Sequence, residues 1–438
     1  MSAISNLLRF QSPPWPGRSK GDAMPHNPVP TGLPNEDQRV APVGAVTRPT
    51  PPSPATDPKS PGTAAKKSLP ARLVSLDAFR GLTILGMLLV NNIALGDRVP
   101  KQLLHAEWSG EVHMADLVFP WFLFIVGVAL PYSVASARRK HLEFWKFDLK
   151  ALWRAGALIF LGCMINSFEQ RHFVFGLDVL QLIGLAFMCA VLIGGLFRLP
   201  GRLAVAALLL VANWYILKRI PIPGYGAGHF TEHVNSIDYI NSAYLSHYNL
   251  KGLLSVIPTT AMVLIGTGVG DLMRRKQLDS IAKVAVLLLC GAGLVAIGWM
   301  WSSPALGTFA LPMNKPCWSA SYILYCAGWA TIGLGIMYAL VDTTPGKWGA
   351  IATFPLIVFG MNAIVAYCLP ILTKVAILRN IDTTWPTGHT MNAEEALRQW
   401  FFQEFGRYNG GWTYTVAYIG FFWCILLILH RKRWFLRV

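Results

Sequence analysis

The sequence reads as an all-α, polytopic transmembrane bundle of about ten helices. Hydrophobic residues make up 53% of its 438 residues and charged residues only 14%, whereas soluble domains carry roughly 25% charged residues. The mean hydropathy is +0.43. The apolar residues fall in blocks long enough to cross a bilayer, which takes about 20 residues of helix. A lipid-exposed backbone must satisfy its own hydrogen bonds, and the blocks lack the alternation of barrel strands, so helices are expected.

Residues 1–70 differ in kind from the rest: they hold 15 of the 29 Pro, with Ser, Thr and Gly between them. Such a segment buries too little apolar surface to offset its ordering entropy and is expected to be a disordered basic tail. It has no apolar h-region followed by a cleavage site, so it does not read as a signal peptide. Initiation at Met24 would shorten it. Residues 71–438 are the membrane domain. Spans are expected near 74–93, 115–134, 149–167, 179–197, 203–220, 253–272, 281–301, 319–341, 351–372 and 412–430.

The net charge of +16 would suggest nucleic acid in a soluble chain. Here the basic residues lie mostly between apolar blocks, so they report topology and no nucleic acid is expected. One alternate set of flanking segments, such as Arg138–Lys150, Arg274–Lys283 and Arg431–Arg437, holds 19 Lys and Arg, against 11 in the other set. The positive-inside rule then puts both termini in the cytoplasm of a multi-pass inner-membrane protein. The loops 94–114, 221–252 and 373–411 fall outside and carry His105, His113, His229, His233, His247 and His389. Of the seven Cys, none makes a CxxC or a Cys/His metal spacing, so neither a disulfide framework nor a metal site is expected.

Three places could hold chemistry. Asp77 and Arg80 are three apart on one face of the first span. They form either an interfacial ion pair or a cytoplasmic-side anion site, since Arg suits phosphate. Asn91 and Asn92 end that span, either as caps or as polar donors. In the following loop, His105 and Trp108 precede Asp116, which opens the second span. Asp116 either caps that helix at its positive dipole end or orients an imidazole. Asn166, Gln181 and Asn362 are polar groups inside apolar blocks and would line a pathway.

The runs SLDAFRG (75–81), Asn91, HAEWSG (105–110) and ADLVFPWFLFIVG (115–127) resemble the catalytic-domain family of heparan-α-glucosaminide N-acetyltransferase. Weaker similarity continues at Val179-Leu180-Gln181, Gly252-Leu253-Leu254, Asn314-Lys315, Trp318-Ser319, Ser321-Tyr322 and Gly360-Met361-Asn362, in order to the end of the chain. The resemblance implies a membrane acyltransferase that takes acetyl groups from cytosolic acetyl-CoA, as donor substrate, to an amino sugar on the far side. His105 matches the family's active-site His, Asn91 its neighbouring Asn and Asp116 its Asp at the second span. On this basis His105 is expected to be base or acyl carrier; imidazole, with an ordinary pKa of about 6.5, suits either role. Asn91 would donate to the developing oxyanion, Asp116 would orient the ring and Trp108 would stack on a sugar. Asp77, Arg80, Asn314, Lys315 and Asn362 complete the candidate substrate-binding set.

The sequence also departs from the family pattern. Leu182 stands where the family's VLQR has an Arg associated with the acetyl-CoA phosphates. Asn249-Leu250-Lys251-Gly252 replaces an acidic Asp-Pro-Glu-Gly run, and the loop from His105 to Asp116 is one residue longer, with an additional His113. The bilayer, a small sugar acceptor and a second copy of the chain are the expected partners. The rival reading is an amino-sugar transporter on the same bundle without catalysis; a scaffold would leave the outer His/Trp/Asp cluster without a role.

Overall fold

The computed structural model describes residues 73–436, apart from Ser109, Gly110, Leu142, Val174, Pro345, Lys347 and 385–389. The tail expected over 1–70 and His389 lie outside the described residues.

The elements follow in order: α1 Val74–Asn92, α2 Met114–Arg139, α3 Phe144–Gln170, α4 Val179–Leu196, α5 Leu199–Arg219, α6 Ser236–Ile240, α7 Val256–Arg274, α8 Ser280–Ser302, α9 Ala320–Val341, α10 Trp348–Ala352, α11 Phe354–Met361, α12 Ala363–Leu372, α13 Ala393–Phe405 and α14 Arg407–Arg431. Ten helical segments among the described residues are long and apolar enough to cross a membrane. Two short antiparallel hairpins, Pro221–Ile222 with Gly226–Ala227 and Asp382–Thr384 with Thr390–Asn392, punctuate the long loops. The chain is a multi-pass membrane protein. Large apolar side chains face outward in a way no soluble surface tolerates, among them Phe160 at 68%, Leu289 at 73% and Trp299 at 66% exposed.

α1 lies centrally, touching α2, α9, α11, α12 and α14, while α5 and α8 are the least buried spans. Lipid tails are as apolar as Leu, so helices associate through close backbone packing rather than through burial from water. A Cβ added at Gly127 of α2 would lie 2.1 Å from the Val263 carbonyl oxygen of α7. A Cβ at Gly360 of α11 would lie 1.9 Å from the Asp77 carbonyl oxygen of α1. Glycine is what lets these pairs touch.

One expected span differs. The single helix expected over 351–372 is interrupted at Asn362, whose backbone leaves the helical region (φ −122, ψ 45). The physical reason lies far along the chain: the Asn362 amide donates to the Trp434 carbonyl at 3.1 Å, and its side-chain oxygen accepts from the Leu436 amide N–H at 3.1 Å. The candidate membrane span therefore shifts to Ala363–Asn380. The second and third spans are also longer than expected, reaching Arg139 and beginning near Trp145.

Candidate active site

The site is built where α2 begins. Pro120 has no N–H to give to the carbonyl four residues back, which is that of Asp116. The Tyr322 hydroxyl, fully buried on α9, donates to that carbonyl at 2.5 Å instead. The start of α2 is thus fastened to α9, and the Asp116 side chain is turned into the loop before it. Its Oδ2 accepts from the backbone N–H of Ala106 at 3.0 Å and of His113 at 3.1 Å. Its Oδ1 lies 2.9 Å from His105 Nδ1 and 3.3 Å from Lys315 Nζ. The carboxylate is 2% exposed while the imidazole is 53% exposed: a buried anchor holds an accessible ring.

Lys315 reaches this point from the loop between α8 and α9. Asn314 places it. The Asn314 amide donates to the Trp108 carbonyl at 3.1 Å, and its side-chain oxygen accepts from Cys317 N–H at 2.8 Å. Lys315 Nζ then stands 2.8 Å from Nδ1 and 3.3 Å from Nε2 of His105. Burial lowers the ammonium below the ordinary lysine range, and the Asp116 carboxylate opposes this only in part. The Trp108 ring packs on Phe230, centroids 5.4 Å apart, and its indole N–H has no hydrogen-bond partner among the described residues.

His113 differs from His105. It is buried, with Nδ1 donating to the Leu104 carbonyl at 3.0 Å and Nε2 facing Glu111 at 3.4 Å. Its ring holds the loop and is not presented to a ligand.

The structure brings His105, Asp116, Lys315, Asn314 and Trp108 together. Asn91 is at the same end of the bundle and exposed, but among the described residues it is not hydrogen-bonded to His105 or Asp116. Its carbonyl accepts from Lys374 Nζ at 3.5 Å. Asp77 and Arg80, paired at 3.3 Å, lie near the other end of α1, about 20 Å away at 1.5 Å per residue. Asn362 belongs to that far end as well, and its amide is spent on the chain's own backbone. Gln181 is buried against Gly162, and Leu182 is buried at 7% exposure among apolar neighbours. Sequence reasoning did not assign Tyr322 a part, although a Pro four residues after Asp116 was the signal that a carbonyl would need a partner.

A buried carboxylate orienting an exposed imidazole can act as base or nucleophile toward an acyl group. Helices that cross a bilayer and carry such a pair at the mouth of the bundle define a membrane-embedded enzyme-like site. The profile described as "Heparan-alpha-glucosaminide N-acetyltransferase, catalytic" matches residues 72–301, and the chain belongs to that family. The chain is similar to heparan-alpha-glucosaminide N-acetyltransferase of Homo sapiens, 25% identical over 439 residues that cover 86% of this chain and 62% of the human protein. The Mus musculus protein of the same name is 24% identical over 364 residues, covering 69% of this chain and 54% of its own length. The chain thus spans less than two thirds of either relative.

Proposed function

We propose that the protein transfers an acetyl group from acetyl-CoA to the amine of an amino sugar at the outer face of the cytoplasmic membrane. The observation that carries this reading is the 2.9 Å contact between the exposed His105 ring and the buried Asp116 carboxylate, inside the region matched by the family. The acceptor amine attacks the acetyl carbonyl, the carbon–sulfur bond breaks, and His105 takes the amine proton or carries the acetyl group between donor and acceptor. Asn91, exposed at the end of α1, is the proposed donor to the oxyanion. Trp108 offers a ring beside the site for a sugar face.

The excess of basic residues in the segments at the Asp77 end supports a cytoplasmic location for that end, with both termini there. Arg80 and Arg154 lie close enough to act on each other's charge, which would suit an anionic donor entering from that side. The family's phosphate-associated Arg is replaced by Leu182, so the donor's phosphates would have to be met by other cations.

The test is full-length protein in proteoliposomes with radiolabelled acetyl-CoA inside and a panel of amino sugars outside. Label on a sugar, lost in His105→Ala, supports the reading. Sugar uptake without acetylation would replace it with a carrier.

A further inference from the structure

α3 meets the rest of the bundle on only part of its circumference, with 28% of its apolar stretch buried. One of its faces is hollow. Gly156, Phe160, Met164 and Phe168 recur four apart along that face, and a cavity of about 780 Å³ runs beside them. Over residues 156–168 the hollow is about 18 Å long at 1.5 Å per residue. That is close to the depth of one leaflet, half of a hydrocarbon core about 30 Å thick. The Ser167 hydroxyl in the wall donates to the Cys163 carbonyl at 2.7 Å, so its one proton is spent within the helix. An added Cβ at Gly156 would meet nothing within 4 Å, so the deep end is open space.

The mouth has a different chemistry. α3 ends at Gln170, and Arg171 and His172 line the same cavity, together with Asn380. Arg171 takes the left-handed conformation (φ 56, ψ 19) that Gly or Asn usually supplies after a helix, at the point where the span ends. Among the described residues its guanidinium makes one hydrogen bond, to the Arg379 carbonyl at 3.5 Å, and has no acidic partner. Glu169, two residues earlier, faces Arg379 at 3.9 Å instead. His172 Nδ1 donates to the Gln170 carbonyl at 2.8 Å, which holds the ring beside the helix end. Phe173 and Phe175, both exposed, also line the cavity. By the alternation of helices, Arg171 lies at the same end of the bundle as His105, where basic residues are the minority. Orientation in the membrane does not call for a cation there.

We propose that the hollow binds an anionic phospholipid of the leaflet on the His105 side. One acyl chain lies along α3 from residue 168 towards residue 156, and the phosphate meets the Arg171 guanidinium. A soluble anion would find Arg171 but leave the long apolar slot empty. A lipid without net charge would fill the slot and leave the guanidinium without a counter-charge. A molecule with a hydrocarbon chain below and an anion above fits both parts, and a lipid carries them at the depths where α3 presents their complements. The planar guanidinium fork suits phosphate oxygens, and a basic side chain near the membrane surface attracts anionic lipid. The site is separate from the His105 cluster and does not depend on acetyl transfer.

The test is photolabelling of full-length protein in phosphatidylcholine nanodiscs. The probes are phosphatidylglycerol and phosphatidylcholine carrying the same diazirine acyl chain. Phosphatidylglycerol should label the peptide that covers α3 and residues 171–175 about 5-fold more than phosphatidylcholine, the weight of one basic side chain on an anionic lipid. Arg171→Asn removes the charge and keeps a residue that tolerates left-handed backbone, so it should bring the two lipids level. Gly156→Leu fills the deep end of the slot. It should lower labelling by both lipids while leaving the melting temperature in detergent nearly unchanged, because its Cβ enters open space.

Equal labelling by the two lipids in the wild type, or a phosphatidylglycerol preference that survives Arg171→Asn, overturns the proposal. Labelling unaffected by Gly156→Leu overturns the acyl slot. Cross-links between two copies of the chain through α3, in place of lipid, would assign the hollow to a contact between copies and overturn the proposal as well.

Discussion

Tyr322 of α9 donates its hydroxyl to the Asp116 carbonyl, the one main-chain acceptor at the start of α2 that Pro120 leaves without an intrahelical donor. The bond joins residues 206 apart and fixes the helix turn from which the Asp116 carboxylate projects. Tyr322→Phe should therefore cost about 1–3 kcal/mol, the penalty for a buried acceptor left unsatisfied. Thermal unfolding in detergent would show the loss, and transfer activity should fall with it through a loosened Asp116. An unchanged melting temperature would mean that the carbonyl finds another donor.

The two histidines of the first loop should separate by observable. His105 is exposed and packs little, so His105→Ala should leave the melting temperature nearly unchanged while lowering turnover by about 10²–10⁴-fold. His113 is buried and bonded to the Leu104 carbonyl, so His113→Ala should lower the melting temperature first. Measuring both properties on both variants decides the matter; reversed patterns would exchange their roles.

At the far end of α1, Gly360→Ala would drive a Cβ against the Asp77 carbonyl oxygen. Overpacking of this kind typically costs about 1–3 kcal/mol. The variant should express poorly or melt earlier, while Gly420→Ala, where an added Cβ meets nothing within 4 Å, should behave as wild type.

Glu394 supplies a pH dependence. Its burial would raise the carboxyl, but the Arg379 guanidinium at 2.8 Å and Lys374 at 3.3 Å outweigh this and hold it below the usual glutamate range. A folded-state value below the unfolded one means stabilisation present above the unfolded pKa and lost as pH falls through the folded value. Glu394→Gln should accordingly be less stable than wild type at neutral pH, with the difference closing only in acid below the ordinary glutamate range. A difference independent of pH would sink the ion-pair explanation.

Topology can be read directly. A reporter active only in the periplasm, fused after Val438, should stay silent in cells, and one placed in the loop that carries His229 and His233 should be active. The opposite pattern would put His105 on the cytoplasmic side.

The spans were legible in the sequence because each lipid-exposed helix must satisfy its own backbone, so local composition over about 20 residues determines it. The helical class, ten candidate spans among the described residues and the position of Asp116 at the start of α2 follow from such local information. Tertiary structure decided the rest. The break at Asn362 depends on backbone groups at 434 and 436, and the partner of the Asp116 carbonyl is on α9. Lys315 joins His105 only because Asn314 is fastened to the Trp108 carbonyl. Hydrogen bonds between residues hundreds of positions apart leave no periodicity in a chain. In a bilayer, moreover, apolar burial does not select which helix meets which, so these contacts rest on close packing and polar bonds that exist only once the bundle is assembled.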